Sequence, residues 1–310
     1  MSDAAVPAVP DAGPARRAGL TSVVIVAADS GPALGECVAG VLAGSAPVEA
    51  IVVDNASHDG SVDAVASRHS GDPRVRIVRN THNLGFGSGC NRGAAVAVGD
   101  ALLFLNPDCE IAADVVQRLR AQMTAGIGVL GVGIVNADGT PEPASRRRDP
   151  TLRRSLMTLT GLARFESRSP LFTGVTLPPP PGHGLESVDA VSGALMLVPR
   201  AVFDKIGGFD EDYFLHAEDF DLCRRARDLG FRVICDNSIT VKHGKGGSSR
   251  HRPLFVARHK HRGMWRWFAK FDPAARNPLL RTVVWAGLWL HFVVQAPFLA
   301  WRQWRASPQR

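Results

Sequence analysis

The chain predicts an α/β fold, a parallel sheet covered by helices on both faces, followed by a helical tail. Three features carry that expectation. From Thr21 onward, short β-branched runs alternate with stretches of helical character, the pattern of strands joined by crossover helices. The run Ala101 to Leu105 is short and wholly apolar, as a buried parallel strand is, and it stops at Asn106-Pro107-Asp108. Near the end, Thr282 to Trp301 is a stretch of 20 residues without a formal charge, flanked by Arg281 and Arg302.

Pro107 cannot extend a strand ladder, so the chain leaves the sheet there. Asn106 and Asp108 then stand at the strand's carboxyl end, the edge where open α/β sheets bind ligands. Two oxygen-bearing side chains one residue apart suit a hard cation. A plain turn explains the same residues, because Asn-Pro and Pro-Asp are turn dipeptides.

The other elements follow in order. Met1 to Leu20, rich in Ala and Pro, reads as a disordered arm. Thr21 to Ala27 is the first strand, Asp29-Ser30-Gly31-Pro32 breaks it, and Leu34 to Leu42 suits a helix. Ala50 to Asp54 is the second strand, Asp59 to His69 a helix, and Val75 to Val78 a third strand. The segment Asn80 to Gly93 holds four glycines within nine residues, which permit close approach of backbone to a ligand. A helix from about Gly89 to Val98 presents its amino end there, a place for a diphosphate; a glycine-rich linker is the plainer reading. Asp114 to Met123 is helical and Gly131 to Asn136 a strand. Residues 137–187 show little periodicity and read as a mobile insertion. Ala194 to Val198 is a strand and Ala201 to Ile206 a short helix stopped by Gly207-Gly208. A further helix opens at Glu218-Asp219, where the dipole stabilises a carboxylate, so capping alone accounts for Glu218. Phe231 to Cys235 is the last strand, leading to His243, which a solvated or phosphate-binding role also explains.

Composition bounds the function. The chain has 310 residues, 45% of them hydrophobic, enough for a sizeable core in one large domain or two small ones. Five scattered cysteines show no CxxC pair and no zinc spacing, which suits a reducing compartment. The amino terminus lacks the apolar core of a signal peptide. The net charge of +7 is unevenly placed: Asp272 is the lone acid between Lys242 and Arg310, whereas the remainder is mildly acidic. A basic tail suggests an anionic partner such as a membrane surface, a pyrophosphate or a nucleic acid.

Eight motifs, each weak alone, occur in one order over about Thr21 to Arg262. They are Ser22 to Val26, Val53-Asp54-Asn55-Ala56-Ser57, Asn83 to Gly93, Asn106-Pro107-Asp108, Gly193-Ala194, Gly207 to Glu211, Glu218 to Arg224, and His243 with Gly247-Ser248. In these the chain resembles family 2 glycosyltransferases of the GT-A fold, close to their bacterial rhamnosyltransferase-like branch. The resemblance implies a catalytic domain over 21–250 and a nucleotide-sugar donor. Asp54 would contact the donor's pyrimidine. Ala27, Asn83, Gly85, Phe86, Asn91, Asn106 and Gly193 would line the donor pocket. Asp108 and His243 would hold a divalent cation, Mg²⁺ or Mn²⁺. Asp219, with Glu218 beside it, would be the catalytic base, and transfer would invert the anomeric carbon. The family's usual Asp-x-Asp stands here as Asn106-Pro107-Asp108, one formal charge fewer at the metal site. The first strand ends in Ala28-Asp29-Ser30, where Tyr-Asn-Ser is usual.

The tail, 251–310, interleaves Arg, Lys and His with Phe255, Met264, Trp265, Trp267 and Phe268. The uncharged stretch is just long enough to span a bilayer. His291, Gln295 and Pro297 weaken that reading, and basic residues beyond it oppose the positive-inside tendency. A helix or helical hairpin lying in the cytoplasmic face of a membrane fits better, with Trp and Arg as anchors; a buried helical pair is the alternative. The expected acceptor is lipid-linked or another envelope glycan, and no nucleic acid is expected. A non-catalytic module binding membranes or nucleic acid through the tail is the rival reading.

Overall fold

A computed structural model describes residues 16–180, 182–244 and 252–306 of the protein. The first half alternates strand and helix: β1 (Arg17–Ala27), α1 (Ala33–Leu42), β2 (Val48–Asp54), α2 (Ser61–Arg68), β3 (Val75–Arg79), α3 (Phe86–Val96) and β4 (Gly99–Leu105). There follow β5 (Cys109–Glu110), α4 (Val115–Gln122), β6 (Ile127–Val135), β7 (Arg146–Arg147), α5 (Leu152–Leu159), β8 (Leu185–Ser187) and β9 (Ala190–Val191). The chain closes with β10 (Leu195–Pro199), α6 (Arg200–Ile206), α7 (Glu218–Asp228), β11 (Arg232–His243), α8 (Pro253–Phe271) and α9 (Pro278–Ala306).

The main sheet runs β3-β2-β1-β4-β10-β6-β11-β5, with β8 added on β11. The pairs among β3, β2, β1 and β4 are parallel, and β6 runs parallel to β11. Antiparallel β10 joins the two parallel groups, so the sheet is mixed. Alternate residues of β1 feed two cores. Val23 and Ile25 face one side with Leu34, Val38, Val62 and Leu119 of α1, α2 and α4. Val24 and Val26 face the other with Cys90 of α3, Phe203 of α6, Leu222 of α7 and Trp267 of α8. Both faces are therefore covered, as continuous apolar strands require.

Several boundaries differ from expectation. The strand β1 already starts at Arg17, inside the stretch assigned to a disordered arm. The Arg17 amide donates to Val98 O at 2.7 Å and the Gly19 amide to Asp100 Oδ2 at 2.9 Å, partners invisible to local composition. The rest of that arm lies outside the described residues. The last strand reaches twelve residues instead of five, because its register against β6 slips between Asp236 and Thr240. Asp236 Oδ1 accepts from the Ser238 amide at 2.9 Å within that irregularity, and the ladder then resumes as far as His243. Residues 137–187 hold secondary structure that periodicity did not announce. Asp149 pairs with Arg224 and Arg227 of α7, and the Leu152 amide donates to Asp272 Oδ2 at 2.6 Å.

The glycines of α3 also have a different use. A side chain on Gly89 or Gly93 would meet Val26 Cγ1 at 2.7 Å or Val24 Cγ1 at 2.4 Å. They allow close packing of the helix on β1, whereas a ligand was the expected neighbour. The tail divides in two. Within α8, Trp267 and Phe268 are buried, and Lys270 reaches Asp210 and Asp221 at 2.7 and 2.6 Å. That helix packs into the main body of the fold. The next, α9, packs on α8 but leaves Leu279, Leu290, Val293, Val294, Phe298 and Trp304 exposed.

Candidate active site

The register of the parallel strands builds one edge of the site. Ala27 lies beside Asp54 and Ile25 beside Leu105, so β1, β2 and β4 release Ala27, Asp54 and Asn106 at the same end of the sheet. Asp54 is buried there; its Oδ1 accepts from the Ser57 amide at 2.8 Å and its Oδ2 from Arg79 at 2.9 Å. Ala27 O accepts from the Asn55 amide at 2.8 Å. Asn55 Nδ2 donates to Gly85 O, and its Oδ1 accepts from Asn80, at 2.9 and 2.7 Å. Asn83 is exposed and its Oδ1 accepts from the Gly85 amide at 2.9 Å. Gly85 has φ of +89°, and a Cβ there would meet Phe214 O at 2.4 Å. The loop thus demands glycine on two counts, conformation and space. The Phe86 amide, the first of α3, donates to the same Phe214 O at 3.0 Å.

Asn91 stands apart from this edge in its bonding. Its amide group is taken up by Phe209 N, Phe209 O and Glu211 Oε1, each at 2.9 Å, so it ties α3 to the Gly207–Glu211 loop.

A second group forms where β5 pairs with the end of β11, bringing Cys109 opposite His243. His243 Nε2 lies 3.2 Å from Asp108 Oδ1 and 3.1 Å from Asn106 Nδ2. Its Nδ1 lies 3.0 Å from Glu142 Oε2. Burial opposes a charge on this imidazole, but the Asp108 and Glu142 carboxylates prevail and raise it to about 9. The two carboxylates therefore favour positive charge at this place. Carboxylate oxygens and an imidazole nitrogen are suitable donors for Mg²⁺ or Mn²⁺. The potential ligand atoms of Asp108, Cys109 and His243 lie within 4.8 Å of one another, so the residues present fit a divalent cation. Cys109 is the poor donor of the three: burial, then Cys37 and Asp108, push its thiol well up, and it bonds to Ala194 O at 3.4 Å. Gly247-Ser248, the end of this motif, lies outside the described residues.

The third group surrounds the start of α7. His216 and Ala217 precede it with φ of 69° and 73°, a left-handed pair that non-glycine residues seldom adopt. The close approach of α8 fixes them, since a Cβ on Gly263 would lie 2.4 Å from His216 O. Glu218 is buried, and its Oε2 has no hydrogen-bond partner among the described residues. Burial, then the neighbouring Asp219 charge, raise its carboxyl well above the usual range. The neutral acid is the form such a place tolerates. Asp219 Oδ2 accepts from Arg147 at 2.5 Å and from the Gly193 amide at 3.1 Å; its Oδ1 accepts from the Phe220 amide at 2.8 Å.

The chain matches the Glycosyl transferase family 2 profile over residues 22–177. A Mycobacterium tuberculosis protein, N-acetylglucosaminyl-diphospho-decaprenol L-rhamnosyltransferase, is 30% identical over 290 residues, covering 83% of this chain and 92% of the relative. The chain belongs to glycosyltransferase family 2. The Haloferax volcanii low-salt glycan biosynthesis hexosyltransferase Agl10 is 26% identical over 59% of this chain and 54% of its own length. Among solved structures, the Pyrobaculum calidifontis mannosyltransferase PcManGT with GDP-Man and Mn²⁺ superposes with a TM-score of 0.55 at 18% identity, over 93% of this chain and 76% of that one. GalNAc-T7 with UDP, GalNAc and Mn²⁺ gives 0.58 at 17%, over 84% and 51%. This family 2 glycosyltransferase thus has the GT-A fold that the motifs led one to expect.

Sequence reasoning missed two residues of the site. Arg147 was legible only as part of the basic run Arg146-Arg147-Arg148, and nothing pointed it at Asp219. Glu142 had no signal, because its link to His243 spans 101 residues.

Proposed function

We propose that this glycosyltransferase moves a sugar, L-rhamnose from dTDP-rhamnose in the first place, onto a hydroxyl of a lipid-linked diphosphate glycan. The supporting observation is the likeness to the mycobacterial rhamnosyltransferase over most of both chains. The nucleotide end of the donor belongs at the Ala27, Asp54, Asn83, Gly85 and Phe86 edge. Asp108 and His243 would hold a divalent cation, with Asn106 and Glu142 beside them, and the cation would offset charge on the donor diphosphate. Asp219 is the base that takes the acceptor's proton as the oxygen attacks the anomeric carbon from the face opposite the leaving diphosphate. Gly193 supports that base. Burial disfavours a charge on the adjacent Glu218.

The acceptor and the tail belong together. The exposed apolar side of α9 and the basic residues Arg258, Lys260 and Arg262 of α8 suit the cytoplasmic face of an anionic membrane, where a lipid-linked acceptor resides. The test supplies dTDP-rhamnose and N-acetylglucosaminyl-diphospho-polyprenol in anionic vesicles, with GDP- and UDP-sugars in parallel. The expected product is a rhamnosylated lipid, formed with Mg²⁺ or Mn²⁺. Transfer from a different nucleotide-sugar only would refute rhamnose, and transfer to soluble glycans only would refute the lipid acceptor.

A further inference from the structure

We propose that Arg147 is the positioning residue of the base: it engages Oδ2 of Asp219 and leaves Oδ1 as the oxygen that receives the acceptor's proton. This rests on the reading of Asp219 as the base.

The site's hydrogen bonds distinguish the two oxygens. A carboxylate offers about four lone-pair directions, two on each oxygen. Oδ2 accepts from Arg147 at 2.5 Å and from the Gly193 amide at 3.1 Å, which uses both of its directions. Oδ1 accepts from the Phe220 amide at 2.8 Å, which uses one. The acceptor hydroxyl therefore addresses Oδ1. As its oxygen bonds to the anomeric carbon, the proton passes to Oδ1, and the bond from that carbon to the leaving oxygen breaks. The leaving nucleoside diphosphate keeps the electron pair.

Arg147 is held on every side for this task. Its strand β7 pairs with β9, and the same Nη2 that reaches Asp219 also donates to Val191 O at 2.7 Å. The guanidinium lies over the Phe220 ring, 4.0 Å from its centroid, and Phe220 is the next residue after the base. Its Nε is buried without a partner among the described residues. An arginine present only to tie chain segments together would use that donor; this one gives it up to keep Nη2 on the carboxylate. The flanking arginines do otherwise. Arg146 pairs with Glu186, and Arg148 with Glu166, both within the middle segment.

The experiment compares Arg147→Ala, Arg147→Lys, Arg148→Ala and Asp219→Asn in steady-state transfer, with folding checked by circular dichroism. Arg147→Ala should lose about 100-fold in kcat, the scale of a misplaced base, with the donor KM unchanged. Guanidinium chloride below denaturing concentration should restore about 10-fold of that loss by refilling the site, and urea should not. Arg147→Lys should fall between wild type and Arg147→Ala, and it carries the test if the alanine variant does not fold. Arg148→Ala should show no response to guanidinium. Near-normal kcat in Arg147→Ala, a loss confined to donor KM, or a folded variant indifferent to guanidinium would overturn the assignment of Arg147. Substantial turnover by Asp219→Asn would instead remove the base itself, a separate failure.

Discussion

Replacing Asp219 by Asn is expected to cut kcat by about 10²- to 10⁴-fold, the range that a positioned acid or base contributes. The substitution keeps volume and shape, so α7 and its packing remain. The amide oxygen can still accept from Arg147 and the Gly193 amide, and the bond from the Phe220 amide to Oδ1 is the one lost. What disappears is a group able to take a proton. Donor affinity should persist, because the proposed donor edge at Asp54 and Gly85 stands on other elements. Loss of kcat with unchanged donor binding is therefore the expected pattern, measured by initial rates and by donor-induced thermal shift. Near-normal turnover would show that the acceptor loses its proton elsewhere.

The second large effect belongs to Asp108. Asp108→Ala removes the carboxylate 3.2 Å from His243 Nε2 and leaves Glu142 as the carboxylate beside the imidazole. Cation-dependent donor affinity should fall by at least about 10- to 100-fold, the loss seen when even the outer partners of a ligand are removed. In a thermal-shift titration, donor with Mn²⁺ should raise the midpoint of the wild type, since a ligand bound only to the folded state stabilises it. The variant should show a much smaller rise, equal to that of the wild type in chelator. Equal shifts in both proteins, with and without chelator, would remove Asp108 and His243 from the metal site.

The parts of this protein that were legible in the sequence are those set by local pattern. Apolar runs gave the strands, and Pro107 ended β4 where it had to. With the parallel register, that alone puts Asp54 and Asn106 at one edge. The parts that were not legible depend on contacts distant in sequence. Arg17 becomes strand because Val98 and Asp100 lie beside it. His243 stays in a strand because the ladder resumes after the slip at Asp236. Gly89 and Gly93 read as ligand-facing, yet the valines of β1 claim them. Gly263 lets α8 approach His216 O, a contact no local pattern announces. Arg147 illustrates the limit best. A run of three arginines predicts charge, and only the fold decides which of them meets Asp219, across 72 residues.

The central claim is a single displacement assisted by Asp219, and the anomeric configuration of the product tests it most directly. The measurement is a proton–carbon coupling determination by NMR on the product of a defined nucleotide-sugar. The account predicts a configuration opposite to that of the donor. Retention would require either two displacements through a covalent intermediate or attack from the leaving group's own face, and it would contradict the role given to Asp219.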